Sequence, residues 1–214
     1  MSFPTLFARA FAPALMVIAA PVALVAPAVP AAAAESPDLA RVQAHLKAVQ
    51  SMTANFVQTD ARGRSARGTL QLKRPGRIRF EYGGGDLLLV ANGSRLTFVD
   101  YQVGQKSSWD LSKTPLGMLL SVNPILKGNA RLVPSGDPRT VVLRARDRNR
   151  PEYGTLILAF LRSPSAPGGL MLYGWTAVDA QNKRTTVKLS NQRYNVAVAE
   201  GAFTYAEPKK RKRG

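Results

Sequence analysis

The chain has 214 residues, of which 30 are basic and 13 acidic, giving a net charge of +17, and it contains no cysteine and one histidine. These counts exclude a disulfide framework, a lipid anchor attached through cysteine, and a zinc site built on cysteine and histidine ligands. The excess of basic residues favours contact with anionic surfaces such as lipid headgroups.

Residues 1–34 have the pattern of a secretory signal peptide: Arg9 precedes a nearly uncharged, alanine-rich run that ends at Ala34. Several prolines in this run disfavour a membrane-spanning helix, since each removes a backbone hydrogen-bond donor. We therefore expect export to the periplasm, with residues 35–208 forming one domain. Such a length is sufficient for a single apolar core. Residues 209–214 are expected to be a basic, disordered tail rather than a nucleic-acid-binding segment.

The first predicted element of the exported chain is an amphipathic helix over residues 37–51. Ser36 and Pro37 resemble an N-cap followed by a first-turn proline. Apolar residues then recur at helical spacing, at Leu39, Val42, Leu46 and Val49. A helix with one apolar face needs a surface to cover.

From Thr53 the apolar residues alternate with polar ones, which predicts a series of antiparallel strands. The predicted strands are 54–60, 67–74, 77–82, 86–91, 95–100, 103–109, 130–133, 140–146, 154–160, 170–178, 184–190 and about 202–205. A second, short helix is predicted over 115–121, because Thr114-Pro115 again resembles a cap and a first-turn proline. So many strands in one sheet must curl. The expected fold is mainly β: a curved antiparallel sheet forming an incomplete, half-open barrel whose concave face is covered by α-helices.

Arg74 breaks the alternation of its strand. Leu70 and Leu72 share one parity, and Ile78 and Phe80 continue it, so Arg74 is predicted to project toward the apolar face. A buried guanidinium requires hydrogen-bond acceptors. The alternative is that Pro75-Gly76 resets the parity and that Arg74 reaches outward to water.

Catalytic groups are sparse. The single histidine, His45, lies on the first predicted helix, where it is expected to be a partly covered side chain without a catalytic or metal-binding role. We find no nucleophile elbow, phosphate-binding loop or dinucleotide fingerprint. The chain therefore reads as a binding protein with no catalytic residue, cofactor or metal. An exported hydrolase of lipid or glycan stays an alternative because scattered carboxylates are present.

Six short motifs occur in the same order as in a known family. They are Met52-Thr-Ala-Asn-Phe-Val-Gln58, Gly68 through Phe80 with its Arg74-Pro75, Leu89-Val-Ala-Asn-Gly93, Thr114-Pro115, Asn182-Lys-Arg-Thr185 through Leu189, and Phe203-Thr-Tyr205 with Pro208. Together they resemble the periplasmic outer-membrane lipoprotein carriers, the LolA family. The resemblance extends over nearly the whole predicted domain.

The resemblance implies a half-barrel with a helical lid and a chaperone function in lipoprotein transport and outer-membrane biogenesis. The implied cargo is acylated lipoproteins, taken from an inner-membrane ABC-type release complex and passed to an outer-membrane acceptor by a monomeric carrier that uses no nucleotide. The family's lid-fastening arginine falls on Arg74. A related half-barrel that binds another lipid, or that senses lipoproteins, is the alternative within this fold.

The residues expected to line the acyl-chain cavity are those of the apolar strand face and of the two helices. They are Leu46, Leu70, Leu72, Ile78, Phe80, Val90, Leu96, Phe98, Met118 and Leu119, with Val187 and Leu189 as weaker candidates. For each of them, ordinary core packing is the competing interpretation, because a sequence does not distinguish a filled apolar face from an unfilled one.

Overall fold

Eleven antiparallel strands form one sheet in the computed structural model, which describes residues 36–120 and 129–209. The strands are β1 (Ser51–Thr59), β2 (Ser65–Lys73), β3 (Arg77–Tyr82), β4 (Leu87–Asn92), β5 (Arg95–Asp100), β6 (Gln105–Asp110), β7 (Ala130–Val133), β8 (Thr140–Ala145), β9 (Thr155–Arg162), β10 (Leu170–Val178) and β11 (Arg184–Tyr194). The predicted signal peptide and residues 210–214 of the predicted tail lie outside the described residues.

The sheet has the order β6-β5-β4-β3-β2-β1-β11-β10-β9-β8-β7, so two meanders meet where β1 pairs with β11. The sheet is curved and unclosed, with β6 and β7 as its outermost described strands. Irregular register occurs between Thr53 and Asn55 and between Leu172 and Gly174. Such bulges increase the local twist of a strand. The predicted antiparallel, mainly β architecture is therefore confirmed.

In the described part of the chain, two α-helices and several single 3-10 turns accompany the sheet. Helix α1 spans Pro37–Ala48 and α2 spans Pro115–Leu120. The Thr114 hydroxyl accepts a hydrogen bond from the Gly117 amide at 3.3 Å, so Thr114 caps α2 as predicted. The side chain of Ser36 forms no capping bond to α1, which begins on the preset backbone of Pro37.

The apolar residues divide into two clusters on opposite faces of the sheet. The inner cluster contains one face of most strands together with the apolar sides of both helices. Its helical members are Val42, Leu46 and Val49 of α1 and Leu116, Leu119 and Leu120 of α2. The outer cluster is smaller and consists of Leu88, Val90, Val99, Val198 and Phe203.

The outer cluster exists because residues 195–209, which we name the C-terminal strap, pass over β3–β6. The Arg79 guanidinium donates hydrogen bonds to the carbonyl oxygens of Ala202 and Thr204 at 3.2 and 3.0 Å. Lys106 forms an ion pair with Glu207 at 2.6 Å. The predicted strand at 202–205 is wrong: a 3-10 turn, Glu200–Phe203, occupies this position, because the strap bonds mainly through side chains rather than through a strand ladder.

Candidate functional site

The inner cluster contains nine of the twelve residues predicted to line a cavity. They are Leu46, Leu70, Leu72, Ile78, Phe80, Leu96, Leu119, Val187 and Leu189. The register explains the grouping on β2 and β3: Leu70 lies opposite Phe80, and Leu72 lies opposite Ile78. Paired residues of antiparallel strands project to the same face. The structure therefore brings these side chains together on one apolar surface, beneath the helices.

The prediction for Val90 is wrong, because this side chain belongs to the outer cluster with Val99 and Phe203. Strand β4 is apolar on both faces, so its sequence does not indicate which parity points inward. Leu89 and Ala91 occupy the inner face instead. Phe98 lies opposite Leu89 and is half-buried. The side chain of Met118 lies outside the part of the molecule that is described.

Aromatic rings form the centre of the inner cluster, and most of them were not predicted as site residues. The Phe56 ring lies edge-on to Phe80 and Tyr82, with centroid distances of 5.2 and 5.0 Å. Phe80 also meets Trp175 of β10 at 6.0 Å. Phe160 of β9 is completely buried. The alternating patterns of β1 and β9 contained the signal for Phe56 and Phe160, which share parity with the other buried apolar residues of their strands. Trp175 has the opposite parity to Leu170 and Leu172, because the register shifts between Leu172 and Gly174, so alternation along β10 did not indicate it.

Tyr82 marks one end of this aromatic group. Its hydroxyl donates a hydrogen bond to the Gln58 side-chain oxygen at 2.9 Å. Burial raises the pKa of the Tyr82 hydroxyl to about 12. The tyrosine is therefore neutral at any physiological pH, and no charge enters the inner cluster at this position.

The turn between β2 and β3 contacts the last residues of both helices. The Arg74 amide donates to the Gln50 carbonyl oxygen at 2.8 Å, just beyond the end of α1. The Gly76 amide donates to the carbonyl oxygen of Leu120, the last residue of α2, at 3.1 Å. Gly76 has a φ of +66°, which a side chain would disfavour. One short turn thus fastens two helices to the sheet.

Arg74 adds a side-chain bond to the same junction. Its guanidinium Nε donates to the carbonyl oxygen of Val49 at 3.0 Å, and Val49 is the C-cap of α1. A cation is favourable at a helix C-terminus, where carbonyl groups lack intrahelical partners. Arg74 is 9% exposed, so the alternative that it reaches outward to water is wrong. Burial lowers the pKa of the guanidinium, which nevertheless stays charged at neutral pH.

His45 is buried between α1 and the loop before β10. Its Nδ1 lies 2.8 Å from the Pro167 carbonyl oxygen, and its ring meets Phe160 and Tyr194 edge-on. Burial lowers the pKa of the imidazole, and the nearby charge of Arg74 acts in the same direction. With 2% exposure it is more deeply covered than predicted, and its contacts are those of a packed, neutral side chain. Within the described residues no cluster of three potential metal ligands is found.

A groove lies beside the junction of α2 with the sheet. It has a volume of about 430 Å³ and is lined mainly by apolar atoms of Pro75, Gly93, Leu111, Gly117 and Leu120. Nearby, Trp109 on the outermost strand β6 lies opposite Leu96 of the inner cluster and is 49% exposed. A half-exposed tryptophan at the edge of an apolar face is a typical binding contact. The polar sequence of β6 gave no indication that Trp109 lies beside the inner cluster.

The described residues thus form a curved antiparallel sheet with an apolar inner face, against which α1 and α2 pack. Residues 47–206 match the family model described as outer membrane lipoprotein carrier protein LolA. The chain therefore belongs to the LolA family. Members of this family are periplasmic carrier or binding proteins for lipids or lipoproteins.

Comparison with solved structures finds distant likenesses. A LolA superfamily protein from Nitrosomonas europaea has a TM-score of 0.46 and 13% identity, over 78% of this chain and 97% of that one. The MucA/MucB complex of Pseudomonas aeruginosa includes a chain with a TM-score of 0.45 and 15% identity, over 79% of this chain and 60% of the other. Comparison with curated protein sequences finds no match. Among the described helices, none has the length and apolarity needed to cross a bilayer.

Proposed function

We propose that the protein is a periplasmic carrier that holds the acyl chains of lipoproteins against the inner face of the sheet and shuttles them from the inner to the outer membrane. The observation that carries this proposal is the fastening of α1 and α2, together the helical lid, to the single β2–β3 turn. The opposite end of α1 is held separately, by the ion pair of Asp38 with Arg162 of β9 at 2.8 Å, so opening of the lid at the turn leaves α1 tethered at its start. Membership of the LolA family supports the same function.

The free energy for cargo binding comes from apolar burial. Transfer of a 16-carbon chain from water to an apolar site releases on the order of 12 kcal/mol, at about 0.8 kcal/mol per methylene. The inner cluster offers leucine, isoleucine and aromatic side chains for such contact. In the described state these side chains pack against the lid, so cargo must displace Val42, Leu46 and Leu119 before it reaches them.

Release of cargo depends on the same lid contacts. The closed, empty protein gains the bond from Arg74 to Val49 and the two backbone bonds at the junction. Each such contact contributes about 0.5–3 kcal/mol, depending on whether a charged group takes part. These contacts oppose cargo binding and favour its release. The carrier therefore has a lower affinity for acyl chains than an acceptor that has no lid to close.

The proposed partners follow from the direction of transport. An inner-membrane ABC-type release complex supplies acylated lipoproteins, and an outer-membrane acceptor receives them. The carrier itself contributes no bond-breaking chemistry, and energy for extraction comes from the release complex. We further propose that the carrier acts as a monomer, since one lid and one inner face suffice for one lipoprotein.

The two tryptophans of the chain allow a direct test. Trp175 lies in the inner cluster and is 5% exposed, whereas Trp109 lies at the sheet edge. A Trp109→Phe variant leaves Trp175 as the only tryptophan reporter, and a Trp175→Phe variant leaves Trp109. A triacylated lipopeptide with brominated acyl chains is expected to quench Trp175 on contact, while the same peptide without bromine is not.

The control separates entry from surface binding. If brominated chains quench Trp109 alone and leave Trp175 unaffected at saturating lipopeptide, acyl chains bind only at the exposed edge of the sheet and do not enter the inner cluster, and the proposal is wrong. A peptide of the same sequence without acyl chains is expected to quench neither tryptophan. Substitution of tryptophan by phenylalanine keeps an aromatic ring at each position, so both variants are expected to fold.

A further inference from the structure

A second candidate site lies on the opposite side of the sheet from the inner cluster, at strands β7 and β8. Arg131 of β7 and Arg144 of β8 are directly opposed in the register, so their side chains leave the same face as a like-charge pair. Arg146 and Arg148 follow at alternate positions. All four line a concavity of about 310 Å³, together with Asn129 and Ala130.

The backbone at this concavity is held in place by Asn129. Its carbonyl oxygen accepts a hydrogen bond from the Arg146 amide at 2.8 Å, and its side-chain oxygen accepts one from the Arg148 amide at 3.4 Å. These bonds connect the start of β7 to the segment after β8. The spacing of the arginines therefore depends on defined structure, not on a free loop.

These arginines have no carboxylate partner among the described residues, although pairing is frequent elsewhere. Arg64, Arg79, Arg139 and Arg162 each form an ion pair with an aspartate or glutamate at 2.7–2.8 Å. No ion pair involves the side chain of Arg131, Arg144, Arg146 or Arg148 in the described part of the chain. Like charges placed opposite one another on paired strands are destabilising, so the pair is retained at a cost to stability.

No acidic residue is among the described residues that line the concavity. The Asp147 carboxylate accepts a hydrogen bond from the Asn149 amide at 2.9 Å. Glu152 and Asp179 line a neighbouring concavity of about 470 Å³, which shares Arg144 and Arg146 with the first. The anion-attracting region is therefore the part near Asn129 and Arg131, away from these two carboxylates.

We propose that Arg131, Arg144, Arg146 and Arg148 form a binding site for a phosphate group, as presented by an anionic lipid headgroup or by free phosphate. Guanidinium groups bind phosphate oxygens through paired, charge-assisted hydrogen bonds. A bound phosphate group would supply the missing negative charge and relieve the repulsion between Arg131 and Arg144. It goes beyond the acyl-binding function and gives the expected contact with anionic membranes a defined position.

The test compares two doubly substituted variants of equal charge. Arg131→Gln with Arg144→Gln removes the opposed pair. Arg62→Gln with Arg67→Gln removes two exposed arginines at the β1–β2 hairpin, which line neither concavity. Binding to phosphatidylglycerol vesicles is measured by co-sedimentation against phosphatidylcholine vesicles. Inorganic phosphate is titrated separately, with arginine Nε–Hε resonances followed by NMR.

We expect the β7–β8 variant to lose about fivefold in vesicle affinity per arginine removed, and the hairpin variant to change by less than twofold. Equal losses in the two variants would mean that only net charge matters and would overturn the site, as would the absence of binding to both probes. Specific loss with vesicles alone identifies the lipid headgroup as the source, and specific loss with phosphate alone identifies free phosphate.

Thermal unfolding and a conservative variant separate loss of the site from loss of the fold. Because the substitutions relieve like-charge repulsion, the β7–β8 variant is expected to unfold at the same or a higher temperature than the unmodified protein. Arg144→Lys, which keeps the charge and loses the planar fork, is expected to retain part of the binding. Full affinity in the double variant would also refute the site. Quenching of Trp175 by brominated lipopeptide is read independently, so the acyl-binding proposal can fail while this one holds.

Discussion

Replacing Arg74 with leucine is expected to make the carrier bind acyl chains more tightly and release them more slowly. The substitution removes the Nε bond to the Val49 carbonyl oxygen and leaves the backbone bonds of Arg74 and Gly76 in place. Leucine is apolar and fits beside the inner cluster, so we expect the fold to be retained. The other charged contact between α1 and the sheet, the Asp38–Arg162 ion pair, stays in place.

The magnitude follows from the geometry of that bond. A buried hydrogen bond from a charged donor, here 3.0 Å long, contributes about 1.5–3 kcal/mol. The Val49 carbonyl oxygen is also left without this donor, while the cost of burying a guanidinium disappears, and these two effects act in opposite senses. A loss of about 1.5–3 kcal/mol raises the ratio of open to closed lid about 10- to 150-fold. Apparent affinity for acyl chains rises with the open fraction.

Hydrogen exchange measures opening of the lid, and cargo transfer measures release of the acyl chains. Amides of α1 are expected to exchange at least about tenfold faster in Arg74→Leu than in the unmodified protein, while amides of β9 and β10 keep their protection. Transfer of a bound fluorescent lipopeptide to acceptor vesicles is expected to slow. Arg67→Leu, at an exposed arginine, serves as the control and should change neither. Delivery by Arg74→Leu at the normal rate would refute the latch.

The remaining predictions concern stability. In Gly168→Ala, the added methyl group lies 2.6 Å from the His45 amide nitrogen at a residue with a φ of +66°, so the free energy of unfolding in denaturant should fall by about 2 kcal/mol or more. In Gly136→Ala, the methyl group enters open space, so the free energy of unfolding should change by less than about 0.5 kcal/mol. Because the folded-state pKa of His45 is lowered, stability should fall as pH decreases below about 6.5, and His45→Phe should flatten that slope. The hydrogen bond from Lys73 holds the pKa of the Glu200 carboxyl below its usual 4.5. Glu200 therefore stabilises the fold above that pH, and this stabilisation is lost as the carboxylate is protonated in stronger acid. Glu200→Gln should remove this contribution to the acid dependence of the unfolding temperature.

The strands were predictable because most have one covered and one half-exposed face. Strand β3 alternates buried and half-buried residues over its whole length, and its predicted bounds, 77–82, coincide with the observed ones. Asn92-Gly93 indicated the turn into β5, where Gly93 has a φ of +85°. Arg74 was predictable for the same reason, because it occupies a strand position at which the alternation calls for an apolar residue.

Features that depend on distant chain segments were not predictable. The C-terminal strap buries the outer face of β4, so Val90 is apolar for a reason located more than 100 residues further on. Burial of His45 depends on the loop at Pro167. The opposition of Arg131 and Arg144 required the pairing register of β7 and β8. Each of these is a tertiary relation that local periodicity does not contain.

The open ends of the sheet, β6 and β7, have a mechanical consequence. A closed barrel has a fixed circumference, because widening it would break a complete row of ladder hydrogen bonds. In a sheet that ends at β6 and β7, the distance between the two ends can change through twist alone, with every strand pair intact. Under the proposed carrier function, this freedom lets one scaffold adapt to cargo molecules that differ in the number and length of their acyl chains.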